Sequence, residues 1–372
     1  MRLIATRALK EGAILAKPVY NERGQVLISD DVPLTTRIIR RLSELGITYV
    51  YIKDRQTEDI VVEDTLSEQT RHKALKTIES TFEQLKQDHN FQHSFLFDKA
   101  AGDFVGVVRN ILSDLKNNQA AVSLLSEVIV HDDYIFTHSL NVTIYALALG
   151  MEMNLPSKKL EEIGIGAILH DVGKMLIPLK VLRKPGRLSD DEFGHMKKHA
   201  EYGFDLLRKT PTIPLTAAHC AYQHHERLDG SGYPRGLQGK EIHLYGKIIA
   251  IADVFDAVTS NRVYRNALLP HDGLELLYAG AGTLFDKDMV DAFQKAVVLY
   301  PVGLTVYLSD GRSGVVSAQN KGYSTRPIVR ILEEHGQELT HPYELNLRDE
   351  LSVMIAKSDT AVPEQKFMKI SL

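Results

Sequence analysis

Apolar residues recur at three- and four-residue spacing through the middle of the chain, and in short β-branched runs near both ends. The helical spacing predicts helices over residues 134–151, 160–170, 195–207, 214–225, 246–265 and 272–280. Residues 65–85 carry a solvated charged face, and residues 103–115 set Val105, Val108, Ile111, Leu112 and Leu115 on one side. These two segments read as helices serving as a bridge, a dimer contact, or both. Near the start, residues 12–19 and 25–29 read as short strands around Asn21-Glu22-Arg23-Gly24. Residues 33–45 then form a helix with Ile38, Ile39, Leu42 and Leu45 on its apolar face, stopped by Gly46, and residues 47–52 form a strand. Residues 54–64 and 87–93 are polar connectors. After residue 300 the pattern changes to strands at 305–308, 313–318 and 328–332, joined by Asp310-Gly311 and Asn320-Lys321-Gly322 turns. The pattern predicts a mainly α protein in three parts. Residues 1–120 are an N-terminal α/β module plus connecting helices, residues 121–302 a helical domain, and residues 303–372 a C-terminal β appendage and tail.

Composition adds limits rather than a function. The 372 residues are 44% hydrophobic and 25% charged, which allows a sizeable core. A net charge of −4 gives no global attraction to nucleic acid or to a membrane surface, so neither DNA nor membrane is expected as a partner. No apolar run approaches the roughly 18 residues of a membrane span, and the first residues lack the features of a signal peptide. The single cysteine, Cys220, cannot form an internal disulfide, which fits a reducing cytoplasm. It is expected as a small core residue. The unusual count is histidine: ten of the 15 lie between His131 and His271.

That clustering draws attention to seven side chains: His138, His170, Asp171, His199, His224, His225 and Asp253. Most fall on predicted helices or at their ends, which is how helical proteins build buried metal sites. Asp171 has two oxygens and can hold two cations at once. Asp253 interrupts the apolar run Ile248-Ile249-Ala250-Ile251-Ala252, where a carboxylate needs a cation to offset its burial. The simplest division gives His138, His170, Asp171 and Asp253 to one ion, and Asp171, His199, His224 and His225 to a second. Imidazole with carboxylate suits Fe, Mn or Zn better than Ca or Mg. Two ions about 3.5–4 Å apart are a known arrangement for phosphoester hydrolysis. Lys174 lies one helical turn beyond Asp171 and is expected to aim its ammonium at the same point. His195, His219, His131, His243 and His271 are expected to stay outside the cluster, and Glu226 to orient one of the paired histidines.

The order of these motifs resembles the HD-GYP phosphodiesterases, a branch of the HD hydrolase superfamily. The resemblance rests on His170-Asp171-Val172-Gly173-Lys174 and on His224-His225-Glu226-Arg227-Leu228-Asp229-Gly230-Ser231-Gly232-Tyr233-Pro234. It also rests on Asp253-Val254-Phe255-Asp256-Ala257-Val258-Thr259-Ser260-Asn261-Arg262 with Tyr264-Arg265, on Lys198-His199 before Tyr202-Gly203, and on Tyr134 with His138-Ser139. It covers roughly residues 125–300. The first 120 residues resemble, more weakly, a small domain often joined to this family.

The resemblance implies an HD-type helical hydrolase core that cleaves cyclic di-GMP to pGpG, and possibly on to GMP, through a metal-bridging hydroxide. It implies two divalent ions, Fe or Mn foremost. Some members carry a carboxylate four residues before the first histidine and bind a third metal. Here that place is Tyr134, which favours two ions, although Asp132 and Asp133 keep a third in view. By the same resemblance Asp171 and Lys174 are catalytic, and Lys174, Arg262, Arg265 and Tyr233 contact the substrate. The loop from Asp229 to Pro234 is a candidate surface for GGDEF-class diguanylate cyclases, and a homodimer is a further expectation. The competing readings are a cyclic di-GMP receptor with little turnover and an HD hydrolase acting on another nucleotide.

Overall fold

The computed structural model describes residues 1–21, 26–45, 47–87, 94–118, 128–130, 134–184, 186–260, 267–320 and 322–359. The chain opens with β1 (Arg2–Ala5), β2 (Val19–Asn21), β3 (Val26–Ile28), α1 (Thr36–Glu44) and β4 (Tyr49–Ile52). Thr35 caps α1 by accepting from the Ile38 N–H, which satisfies one of the free amides of its first turn. Strands β1 and β4 pair antiparallel, Leu3 opposite Tyr51. The segment 12–19 is not the strand its composition suggested. Ile14 and Leu15 make only single bridges, to Pro33 and Ile52, and Pro18 has no N–H to give a ladder. The turn at residues 22–24, the stop at Gly46, residues 88–93 and Lys321 lie outside the described residues.

Two long helices follow, α2 (Glu68–Gln87) and α3 (Ser94–Asn118), then β5 (Val128–Val130), which pairs parallel to β2. The rest of the helical part is α4 (Tyr134–Glu152), α5 (Ser157–Leu169), a 3-10 turn (Val172–Leu176), α6 (Leu179–Leu182), α7 (Asp190–Lys197), α8 (His199–Leu207), α9 (Leu215–Gln223), α10 (Leu244–Thr259), α11 (Pro270–Ala279) and α12 (Lys287–Ala296). Helix α10 is buried along most of its length and sits at the centre, packed against α4, α9 and α11. Tyr145 of α4, Phe255 of α10 and Phe293 of α12 meet edge to face in this core. Phe82 of α2 and Phe104, Val108 and Ile111 of α3 are buried in the same core. The α2–α3 pair is therefore part of the helical body, not a bridge beside it. Cys220 is buried there as expected.

Two predicted helices end differently from their sequence pattern. Residues 195–207 form two helices, not one, because Lys198 breaks the run and leaves His199 as the first residue of α8. The helix expected over 246–265 stops at Thr259. Ser260 is extended (φ −88°, ψ 148°) and its hydroxyl turns back to Asp256.

The C-terminal sheet contains β6 (Thr305–Leu308), β7 (Arg312–Ala318), β8 (Ile328–Glu334), β9 (Gln337–Asn346) and β10 (Ile355–Ser358) in the order β10-β6-β7-β8-β9, all antiparallel. It does not hang free. Leu3, Tyr49 and Tyr51 of the N-terminal strands share one core with Val306, Val316, Val329 and Ile331, and the Tyr51 hydroxyl donates to the Val302 carbonyl at 3.0 Å. Among the described residues no helix is long and apolar enough to cross a membrane.

Candidate metal centre

Five elements deliver the cluster. His138 projects from α4, and His170 and Asp171 follow the end of α5. His199 opens α8, His224 and His225 follow α9, and Asp253 lies on α10. The close approach of the 3-10 turn to α8 requires glycine at position 173. A Cβ there would lie 1.9 Å from the His199 carbonyl oxygen and 2.6 Å from the Gly203 nitrogen. That contact brings His199 beside Asp171.

The donor atoms converge on Asp171. Its Oδ2 lies 3.5 Å from His138 Nε2 and 3.4 Å from His170 Nε2. Its Oδ1 lies 3.4 Å from His199 Nε2 and 3.7 Å from His224 Nε2. Asp253 completes the ring, with Oδ1 3.0 Å from His138 Nε2 and Oδ2 3.7 Å from His225 Nδ1. One carboxylate thus offers an oxygen to each of two donor groups. His138, His170 and Asp171 form the first, and Asp171, His199, His224 and His225 the second. Six of the seven side chains are buried, His225 being partly exposed.

The opposite ring nitrogens are tied back, which aims Nε2 inward. His170 Nδ1–H donates to the Ala167 carbonyl at 2.7 Å, and His199 Nδ1–H to that of Met196 at 2.7 Å. His224 Nδ1–H is shared between the Cys220 and Ala221 carbonyls. His138 Nδ1–H donates to Asp256 Oδ2 at 2.7 Å, and the other Asp256 oxygen accepts from Asn141 and Ser260. Such outer partners fix tautomer and ring orientation in metal sites.

The protonation pattern suits a cation, since neutral imidazoles and ionised carboxylates are the forms that bind metal. Burial pushes His199 down to about 4 and holds His224 and His225 well below the usual imidazole range, leaving them neutral. Burial also disfavours ionised Asp171, yet Lys174 and His170 outweigh it and hold the carboxyl well below its ordinary value. Asp253 is depressed against the same opposition, through its hydrogen bond with His138. For His138 burial works downward, but the hydrogen bonds with Asp253 and Asp256 prevail and raise it to about 9. The Lys174 ammonium bonds Asp171 Oδ2. His170 Nε2 and Asp171 Oδ1 are buried with no hydrogen-bond partner, a costly arrangement unless a ligand binds there. The cluster can hold divalent metal, and both orphaned atoms belong to it.

Tyr233 stacks on His225 at 4.5 Å between ring centroids, at the outer side of the cluster. Its loop turns tightly: a Cβ on Gly232 would lie 2.5 Å from the Glu226 Cα and the His225 carbonyl oxygen. Glu226 does not orient a histidine. Its carboxylate accepts from the Arg235 and Leu237 N–H groups, both at 2.9 Å, and pins this loop. The sequence reading missed Asp256, although Asp253 and Asp256 stand one turn apart in an otherwise apolar helix, and that spacing was the available signal. His195 is exposed on α7, and His271 bonds the Ser358 hydroxyl. His131, Asp132, Asp133, Arg262, Tyr264 and Arg265 lie outside the described residues, as does the side chain of Tyr134.

Comparison with known proteins follows this geometry. Residues 108–289 match the model of the HD domain, and residues 305–365 match that of a KOW domain associated with HD domains. A cyclic di-GMP phosphodiesterase of Pseudomonas aeruginosa is 34% identical over 278 residues, covering 74% of this chain and 63% of that protein. A cyclic di-GMP phosphodiesterase of Thermotoga maritima is 37% identical over 202 residues, covering 54% of each. A 3′3′-cGAMP-specific phosphodiesterase of Vibrio cholerae is 35% identical over 185 residues, covering 49% of this chain and 35% of that protein. The chain spans less than two thirds of the length of each of these relatives. Residues 108–289, which hold all seven donors of the cluster, thus carry an HD domain.

Proposed function

We propose that the chain is a metal-dependent phosphodiesterase that hydrolyses cyclic di-GMP to pGpG, from which a second cut would give GMP. The observation that carries this reading is Asp171, whose two oxygens face two separate groups of histidine donors. His138, His170, Asp171 and Asp253 would hold one divalent ion, and Asp171, His199, His224 and His225 a second, with Fe or Mn the expected metals. Bound ions there would supply an activated water and neutralise charge on the phosphate.

The chain's own groups do the rest. Lys174 is partly exposed beside Asp171, so its ammonium can turn from that carboxylate to a phosphate oxygen as negative charge builds up. Tyr233 borders the same centre and would contact the dinucleotide. Arg262 and Arg265 are assigned to the phosphates, because a guanidinium binds them in bidentate fashion. The loop from Asp229 to Pro234 is the surface we assign to a GGDEF-class cyclase. A second reading, hydrolysis of a hybrid cyclic dinucleotide, draws on the Vibrio cholerae relative.

The test is a product assay on anaerobically purified, Mn- or Fe-loaded protein given cyclic di-GMP, 3′3′-cGAMP and cyclic di-AMP. The proposal expects pGpG as the fastest-formed product. Faster turnover of 3′3′-cGAMP would favour the second reading, and tight binding of cyclic di-GMP without product would make the chain a receptor.

A further inference from the structure

Helix α7 is short, yet its start is firmly held. Ser189 and Glu192 form a complete capping box, and Lys184 pairs with the Glu192 carboxylate. Phe193 and Lys197 stand four residues apart, so they share one face of the helix. The Phe193 side chain is 44% exposed, although burying so large an apolar group would be favourable. Its ring meets Tyr233 edge to face, with centroids 6.3 Å apart and planes at 82°. Tyr233 in turn stacks on His225. A continuous aromatic path therefore runs from the metal-donor cluster through Tyr233 to Phe193 at the surface. Lys197 Nζ lies 4.7 Å from the Phe193 centroid and 5.4 Å from that of Tyr233, so its ammonium rests beside both rings on a flexible stem that can swing to an incoming acceptor.

We propose that Phe193 and Lys197, with Tyr233, form a shelf that recognises one guanine base of the cyclic dinucleotide while its phosphate is at the metal-donor cluster. This inference rests on the reading of the cluster as a cyclic dinucleotide phosphodiesterase centre. Stacking on Phe193 supplies affinity for any base, since every base has a π-face. Lys197 supplies the choice. An ammonium has only donors, and guanine presents two acceptors, O6 and N7, on one edge where adenine presents an acceptor and a donor. The shelf thus favours guanine over adenine.

The experiment compares wild type, Phe193→Ala, Phe193→Trp and Lys197→Gln, each checked for metal content. The substrates are cyclic di-GMP, cyclic di-AMP and bis(p-nitrophenyl) phosphate, a phosphodiester with no nucleobase. For Phe193→Ala the KM for cyclic di-GMP should rise about tenfold with kcat changed less than about twofold. The ratio of its kcat/KM to that for the base-free diester should fall by a similar factor, and Phe193→Trp should restore it. Lys197→Gln should reduce the preference for cyclic di-GMP over cyclic di-AMP about tenfold. An unchanged KM in Phe193→Ala, or equal losses on the dinucleotide and the base-free diester, would overturn the shelf. If wild type cleaves the base-free diester but no cyclic dinucleotide, the cyclic dinucleotide reading of the centre itself fails and the shelf falls with it.

Discussion

The charge on Asp171 decides what the cluster can do. Removing that charge while keeping the shape is the cleanest test of a shared carboxylate. Asp171→Asn should lose both ions together, from about two per chain to well under one, with turnover lost in parallel. Metal analysis by mass spectrometry reads this directly. Retention of one full equivalent would mean that Asp171 serves one site only. Asp256 tests the next layer. It grips His138 Nδ1 from outside the donor cluster, so Asp256→Asn should weaken metal affinity about 10–100-fold, measured by chelator competition, while the fold persists. Much of this was legible at the residue scale. Histidines and buried aspartates are uncommon in apolar helices, so their joint occurrence stood out against chance. Asp256 was harder to read: its spacing from Asp253 was the signal, but a carboxylate near Arg262 also reads as half of a surface ion pair. Glu226 misled for a related reason. Adjacency to His225 along the chain says nothing about direction, and its carboxylate turns the other way, to the loop amides.

At the scale of elements, the site depends on backbones that come unusually close. Gly173 lies against the start of α8, where any side chain would strike the His199 carbonyl. Gly173→Ala should therefore cost at least about 1–3 kcal/mol in urea unfolding, with metal affinity falling because His199 is displaced. Gly194 is the control. It is helical, and a Cβ there meets nothing within 4 Å, so Gly194→Ala should stabilise the fold by about 0.5–1 kcal/mol. Equal effects from both substitutions would refute the close-approach argument. Hydrophobic spacing located most helices well, because α4, α5, α9 and α10 bury continuous apolar faces. It could not locate the break at Lys198, since the apolar period runs on through it. Strand β9 was missed for a different reason: most of its residues are exposed, so no alternation marks it. Its hairpin turns at His335 and Gly336, both with positive φ.

At the scale of the whole molecule, the two ends of the chain build one β-rich unit. Strand pattern predicted β6, β7 and β8, but not that Leu3, Tyr49 and Tyr51 would share their core, because packing between distant segments leaves no local period. The Thr48 hydroxyl accepts from the Ala267 N–H at 3.1 Å, which ties the N-terminal module to the chain just before α11. Arg330 of β8 binds Asp59 with its two terminal guanidinium nitrogens, adding an ion pair across the ends. The hydrogen bond from Arg330 holds the Asp59 carboxyl at about 2, below its ordinary 3.8. A depressed folded-state pKa stabilises above the ordinary value and loses that contribution as pH falls through about 2. Asp59→Asn should accordingly flatten the acid limb of stability between pH 3.8 and about 2. The effect should be small and weakened by salt, since Asp59 is exposed. Thermal unfolding at several pH values and two salt concentrations measures it, and identical acid limbs would show that the pair contributes nothing.

The central claim is that Asp171 joins two neighbouring metal ions. An anomalous difference map from a crystal of Mn-loaded protein tests it most directly. The account predicts two peaks about 3.5–4 Å apart, one beside Asp171 Oδ2, His138 and His170, the other beside Asp171 Oδ1, His199 and His224. A single peak, or two peaks of which one lies out of reach of Asp171, would contradict it.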